Sequence, residues 1–278
     1  MSGARLVGST FVHGAHVRAN GIRQHYLRFG GEACGGVPLV IVPGITSPAA
    51  TWAFVGERLG QRYDTYVLDV RGRGLSSTGC DLDYSLQTCA DDITAFAQAL
   101  GLTRFHLLGH SMGARFAARA ANGAHGSANA VQRLVLADPP LSGPGRRPYV
   151  KTLAFYLDAI RQAQAGEMDI ASVRAAYPAW SDAQVQARAE WLHTCDITAI
   201  TAAHRGFQED DIHADLPALA MPVLLMVAGR GDVIRPEELA EVQALLPALQ
   251  VSHFPQASHM IPFDDLDGFA QSVEDFLV

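Results

Sequence analysis

Residues 105–122 read FHLLGHSMGARFAARAAN, and at their centre Gly109-His110-Ser111-Met112-Gly113 sets a serine between two glycines. Leu107 and Leu108 close an apolar run short enough for a buried strand, and residues 112–122 suit the helix that would follow. A serine on so sharp a strand-to-helix turn needs a thin chain around it, because a Cβ at Gly109 or Gly113 would collide with the strand or the helix. Such a turn exposes the hydroxyl above the sheet. The helix N-terminus behind it favours developing negative charge. This is how a nucleophile is presented.

A serine hydroxyl attacks poorly until a base takes its proton, and the base needs a third group to fix its tautomer. The expected base is His259, in a loop after the last strand, Ala257-Ser258-His259-Met260-Ile261-Pro262. His110 lies inside the serine turn, where its ring supports the turn, and His253 falls within the last expected strand. Two aspartates end strands in suitable places for the third group. Asp232 stands in Gly229-Arg230-Gly231-Asp232, and Asp138 ends the strand after the serine helix. Both remain candidates. A tetrahedral oxyanion needs two N–H donors; Met112, the residue after the serine, and Ile45, after Pro43-Gly44, are positioned to give them.

The elements that must hold these residues follow in order. Residues 17–29 read as two β-like runs around Asn20-Gly21, a strong hairpin signal. Residues 38–42, PLVIV, form a continuous apolar run suited to a strand covered on both faces. Helix is expected over 52–59, strand over 65–70, and helix over 85–100, where Leu86, Ala90, Ile93, Ala97 and Leu100 share a face and Gly101 stands at the C-cap. Strands at 133–137, 222–227 and 249–254 and helices at 236–246 and 265–278 complete the alternation. Between them, residues 141–215 carry helical spacing around 153–160 and 183–193 and no strand-like run, which reads as a helical insertion, a cap, into a core formed by 1–140 and 216–278. Strands alternating with helices imply an α/β fold with a mostly parallel sheet, the opening hairpin adding antiparallel strands at one edge. Arg71 and Arg73, in a loop below the serine, are read as bracing the fold.

Composition narrows the function classes. The 278 residues are 49% hydrophobic and 18% charged, a globular balance. The formal charge of -7 advertises neither a nucleic-acid nor an anionic-membrane partner. No apolar run approaches the length of a membrane span, and the N-terminal stretch MSGARLVGSTFVHG lacks the pattern of a secretory signal. Cys34, Cys80, Cys89 and Cys195 have no C-x-x-C spacing, as expected for idle thiols in a reducing cytoplasm. The expected setting is cytoplasmic; oligomeric state is not legible.

Together these residues resemble the α/β-hydrolase superfamily over nearly the whole chain. More narrowly, VPGITSPAATW, RYDTYVLDVRGRGLSS, GHSMGARFA, ADPPLSGPGRRPY, EWLHTC, LLMVAGRG and SHMIPFDDLDGF resemble the family of N-formylmaleamate deformylases of nicotinate degradation. The resemblance implies the α/β-hydrolase fold, with a mostly parallel eight-stranded sheet flanked by helices and a helical cap. It also implies cofactor-independent hydrolysis of a formyl C–N bond through a formyl-enzyme, with no metal. In that family the aspartate matching Asp138 would complete the triad, while this chain carries an acid at both places. A small carboxylate substrate calls for a cation, for which Arg115, Arg146, Arg147 and His193 are candidates from the matched segments. Trp191 and Tyr149 pack the cap or wall the pocket. The alternatives are a hydrolase of an ester, an enol-lactone or a carbon–carbon bond, and a non-catalytic ligand receptor on the same fold.

Overall fold

The computed structural model describes residues 9–122 and 130–278; most of the stretch read for a secretory signal lies outside them. The strands are β1 (Phe11–Ala19), β2 (Ile22–Phe29), β3 (Leu39–Val42), β4 (Thr65–Leu68), β5 (Phe105–His110), β6 (Val131–Ala137), β7 (Val223–Ala228) and β8 (Gln250–Phe254). They form one sheet in the order β1-β2-β4-β3-β5-β6-β7-β8. β1 and β2 pair antiparallel around the Asn20-Gly21 turn, and β2 meets β4 antiparallel. Every other pairing is parallel.

All four side chains of β3 are fully buried, as expected of a strand covered on both faces. One face is covered by α2 (Leu86–Ala99) and α3 (Met112–Ala121), whose apolar residues join Val40, Leu107 and Leu136 in one core. On the other face, α1 (Ala53–Leu59) and a later C-terminal helix pack on Leu39, Ile41 and Leu108. The α2 helix starts where its sequence says it must. The Ser85 hydroxyl accepts from the Thr88 N–H, and Gly101 follows at φ 69°.

Between β6 and β7 the chain forms α4 (Leu153–Gln164), α5 (Ile170–Ala176), α6 (Asp182–Trp191) and α7 (Ile197–Glu209). Two of these, α4 and α6, answer to the periodicity read at 153–160 and 183–193; α5 and α7 do not. The short α5 owes its start to a capping box between Asp169 and Ser172, and α7 begins at an Asp196 cap. After β7 come α8 (Pro236–Leu245), β8, the short α9 (Ile261–Asp264) and α10 (Leu266–Leu277). Arg115 fastens the helical stretch to the serine helix. Its buried guanidinium donates to the carbonyls of Pro140, Ser142, Gly206 and Asp210. Among the described residues no helix is long and apolar enough to cross a membrane.

Candidate active site

Ser111 stands between β5 and α3 at φ 55°, a left-handed conformation that costs an L-residue energy and persists because the surroundings fix it. The fixing is done by backbone. A Cβ on Gly109 would lie 2.4 Å from the Gly113 carbonyl oxygen, and one on Gly113 would lie 2.1 Å from that of Val42. The helix therefore rests directly on the end of β3.

The Ser111 Oγ lies 2.8 Å from His259 Nε2, and His259 Nδ1 lies 2.7 Å from Asp138 Oδ2. Asp138 is fully buried, and its Oδ1 accepts from the Ala228 N–H at 3.1 Å. A buried carboxylate with both oxygens bonded stays in one pose and holds the imidazole in the tautomer that leaves Nε2 free to take a proton. Asp232 is not brought to the histidine. Its exposed carboxylate pairs with Arg235 Nε at 2.9 Å, and that bond holds it below the usual carboxylate range. Its loop nonetheless touches the site, since a Cβ on Gly231 would come within 3.3 Å of Asp138 Oδ2 and 3.1 Å of the His259 N.

The Ile45 N–H has no hydrogen-bond acceptor among the described residues, and the Met112 N–H opens α3, where no intrahelical acceptor exists. Both peptides flank the serine. His110 is 1% exposed and donates Nε2–H to the His259 carbonyl at 2.9 Å. Burial, aided by the neighbouring His259, pushes its pKa down to about 3. His106 on β5 is likewise pushed down to about 4 by burial, with Arg133 and Arg104 adding to the effect.

Both rings are thus neutral in the fold and take up a proton on unfolding once the pH falls below the ordinary histidine value. Stability is complete above about pH 6.5 and falls with acid, by about 2.7 kcal/mol per pH unit from the two histidines near pH 5. Chemical denaturation at pH 7, 6 and 5 checks this. A stability flat across that range would contradict neutral burial.

A cavity of about 260 Å³ opens over Ser111 and His259. Tyr149 Oη stands 3.4 Å from His259 Nε2 and accepts from the Tyr156 hydroxyl at 3.3 Å. Burial pushes the Tyr149 phenol pKa up, so the group stays protonated. None of the four cations expected at a substrate carboxylate lines this cavity. Arg115 is spent on carbonyls, as described above. Arg146 pairs with Glu241 at 2.6 Å and Arg147 with Glu238 at 2.9 Å, both on α8, while His193 is exposed. The cations lining the cavity are instead Arg188, Lys151 and Arg230. Half-buried Arg188 on α6 donates Nη1–H to the Thr46 carbonyl at 2.6 Å and to its hydroxyl at 3.0 Å, with no carboxylate partner among the described residues. Only its position on the face of α6 that meets Thr46, 142 residues away in sequence, makes it visible, and sequence periodicity carries no such signal. No group of three or more His, Cys, Asp or Glu residues that could hold a metal ion occurs among the described residues.

A mostly parallel sheet with a serine turn at the end of a central strand, and an acid and a histidine after later strands, defines a class. Residues 37–266 match the family model described as alpha/beta hydrolase fold, and the chain belongs to that family. It is 61% identical over 270 residues to the N-formylmaleamate deformylase of Pseudomonas putida, covering 97% of this chain and 98% of that protein. The solved structure of an N-formylmaleamic acid deformylase variant from Pseudomonas putida S16 superposes with a TM-score of 0.87 at 49% identity, covering 94% of this chain and all of that one. A 2-(acetamidomethylene)succinate hydrolase of Mesorhizobium japonicum is 29% identical over 83% of this chain and 84% of its own.

Proposed function

We propose that the protein is a serine hydrolase that cleaves the formyl C–N bond of N-formylmaleamate, giving maleamate and formate. The observation that carries the substrate is the 61% identity to a deformylase across 97% of the chain, the helical stretch over the cavity included. The relay of 2.8 and 2.7 Å from Ser111 through His259 to Asp138 supports the chemistry.

In this reading Ser111 Oγ attacks the formyl carbon while His259 Nε2 takes the hydroxyl proton, and Asp138 stabilises the imidazolium. The Ile45 and Met112 N–H groups receive the oxyanion. As it collapses the C–N bond breaks, and His259 returns the proton to the departing nitrogen, releasing maleamate and leaving a formyl ester on Ser111. Water then attacks this ester with His259 as base, formate leaves, and Ser111 regains its proton. The leaving nitrogen is imide-like, which makes it a better leaving group than a simple amine. The chain's own residues suffice for each step.

The proposal takes 1–140 and 216–278 as the hydrolase core and 141–215 as a cap that closes the cavity, in a cytoplasmic enzyme of nicotinate degradation. It moves the substrate carboxylate from the four cations first considered to Arg188, whose guanidinium faces the cavity with donors to spare. Arg188→Met is expected to raise KM for N-formylmaleamate roughly 10–100-fold, the equivalent of one charge-assisted bond of about 1.5–3 kcal/mol. Steady-state kinetics with a melting curve on the same sample check this; an unchanged KM returns the carboxylate to Lys151 or Arg230. The reading as a whole is tested by formate release from N-formylmaleamate. A protein that hydrolyses aryl esters yet releases no formate keeps the nucleophile and loses the substrate.

A further inference from the structure

Arg73 is 1% exposed, and its guanidinium touches Ile45 and Met112, the two residues whose N–H groups flank Ser111. Its Nε–H donates to the Ile45 carbonyl at 3.1 Å, and its Nη2 reaches Met112 Sδ at 3.3 Å and the Ala199 carbonyl at 3.4 Å. Nη1–H donates to the Arg71 carbonyl at 2.8 Å. No carboxylate bonds to it among the described residues. The other two buried arginines are provided for. Arg71 is held in a fork by Asp92, Nε–H donating to Oδ2 at 2.6 Å. Arg115 meets the carbonyls of Gly206 and Asp210 at the C-terminal end of α7, the negative end of a helix.

Arg73 has neither. Its partners are the carbonyls of Ile45, Arg71 and Ala199 and the Met112 sulfur, none of them a carboxylate or the C-terminal end of a helix. Around it stand Cys89, Cys195, Tyr84 and Asp196. The Asp196 carboxylate is already engaged, with Oδ1 capping α7 at the Ala199 N–H and Oδ2 accepting from the Thr78 hydroxyl. Burial pushes the guanidinium pKa down, the direction expected of a cation lacking a close counter-charge. A buried guanidinium is costly without an anion, and the fold retains this one beside the place where an anion forms only during turnover.

We propose that Arg73 is a positioning residue for the oxyanion hole, holding Ile45 through the carbonyl of the peptide next to the one that carries the donor N–H, and supplying a fixed positive charge that is compensated only when the tetrahedral oxyanion forms at Ser111. Charge unmet in the ground state and met in the transition state accelerates the step without tightening substrate binding. The inference rests on Ser111 as nucleophile. It goes beyond the bracing role expected of this loop, which Arg71 fulfils through Asp92.

The test compares two ligands in Arg73→Gln, which keeps an N–H for Ile45 and removes the charge. Trifluoroacetone, which adds to the serine to give an anionic hemiketal, reports the tetrahedral state, and maleamate, a planar product, reports the ground state. The expected result is a kcat about 10–100-fold lower with KM within about threefold, trifluoroacetone inhibition weakened at least about tenfold, and maleamate inhibition nearly unchanged. Equal loss toward both ligands, or no loss toward either, overturns the proposal. Should the glutamine variant not fold, Arg73→Lys carries the same comparison. A cation retained there is expected to keep inhibition by both ligands within about threefold of wild type, and a loss of about tenfold or more toward trifluoroacetone alone overturns the proposal. A wild type that forms no adduct on Ser111 refutes the nucleophile itself, and the role of Arg73 falls with it.

Discussion

Ser111→Ala is expected to lower kcat for formate release by roughly 10⁴–10⁶-fold while leaving the fold intact. Its Oγ is the atom 2.8 Å from His259 Nε2, and no other hydroxyl occupies that position with a base behind it. Tyr149 is also near the imidazole, at 3.4 Å, but burial keeps its phenol protonated and makes it a poor substitute nucleophile. Alanine removes the hydroxyl without relieving the φ of 55°, so the strain in the turn is the same in both proteins and the melting temperature should scarcely move. A serine-reactive phosphonate should label the wild type and not the variant. Retention of more than about a tenth of the wild-type rate would mean that water is activated without a covalent step.

Asp138→Asn is expected to reduce kcat by about 10⁴-fold, and Asp232→Asn by less than about twofold. The asymmetry follows from hydrogen-bond directions. The Ala228 N–H donates to Oδ1 of residue 138, so an asparagine there keeps its carbonyl oxygen toward Ala228 and turns its NH₂ to His259 Nδ1. The imidazole must then accept at Nδ1 and carry its proton on Nε2, facing Ser111 with a donor where a base is required. Asp232 makes its bonds to Arg235 on the protein surface, where loss of one charge is worth little. Formate release by the two variants, with near-wild-type melting curves for both, decides the assignment. Greater damage in Asp232→Asn would place the acid in the later loop.

The serine turn and its helix, the hairpin at Asn20-Gly21 and the all-apolar β3 were legible because each is specified by near neighbours. Periodicity, two glycines at fixed spacing and a turn dipeptide are local properties. The choice between Asp138 and Asp232 was not legible, because locally the two are nearly the same. Both follow parallel strands of the sheet, Asp138 directly after β6 and Asp232 four residues after β7, and both take a left-handed backbone, at φ 47° and 49°, which aspartate tolerates better than most residues. They differ in burial and in partner, and those depend on which loop closes over β6. Which cations line the cavity is hidden for the same reason. Arg146 and Arg147 find glutamates on α8, at separations of 95 and 91 residues, and no pattern within the segments GRRPY or EWLHTC announces those pairs. Arg188 is no easier to single out, because a polar residue on an amphipathic helix looks alike whether it faces solvent or a cavity.

The close seating of α3 on the end of β3 bears on how much sequence change such a site can absorb. The dimension that matters most, the separation between the Ile45 and Met112 N–H groups, is set by main chain lying on main chain, with the Gly113 position pressed against Val42 and Pro43 carbonyls. At that contact there is no side chain to be enlarged or trimmed, so apart from the Arg73 hold on the Ile45 carbonyl the surrounding core can repack around the gauge without resetting it. What the arrangement gives up is tolerance at two points. A methyl group at Gly109 or Gly113 would act as a spacer, prising the two donors apart by its own thickness.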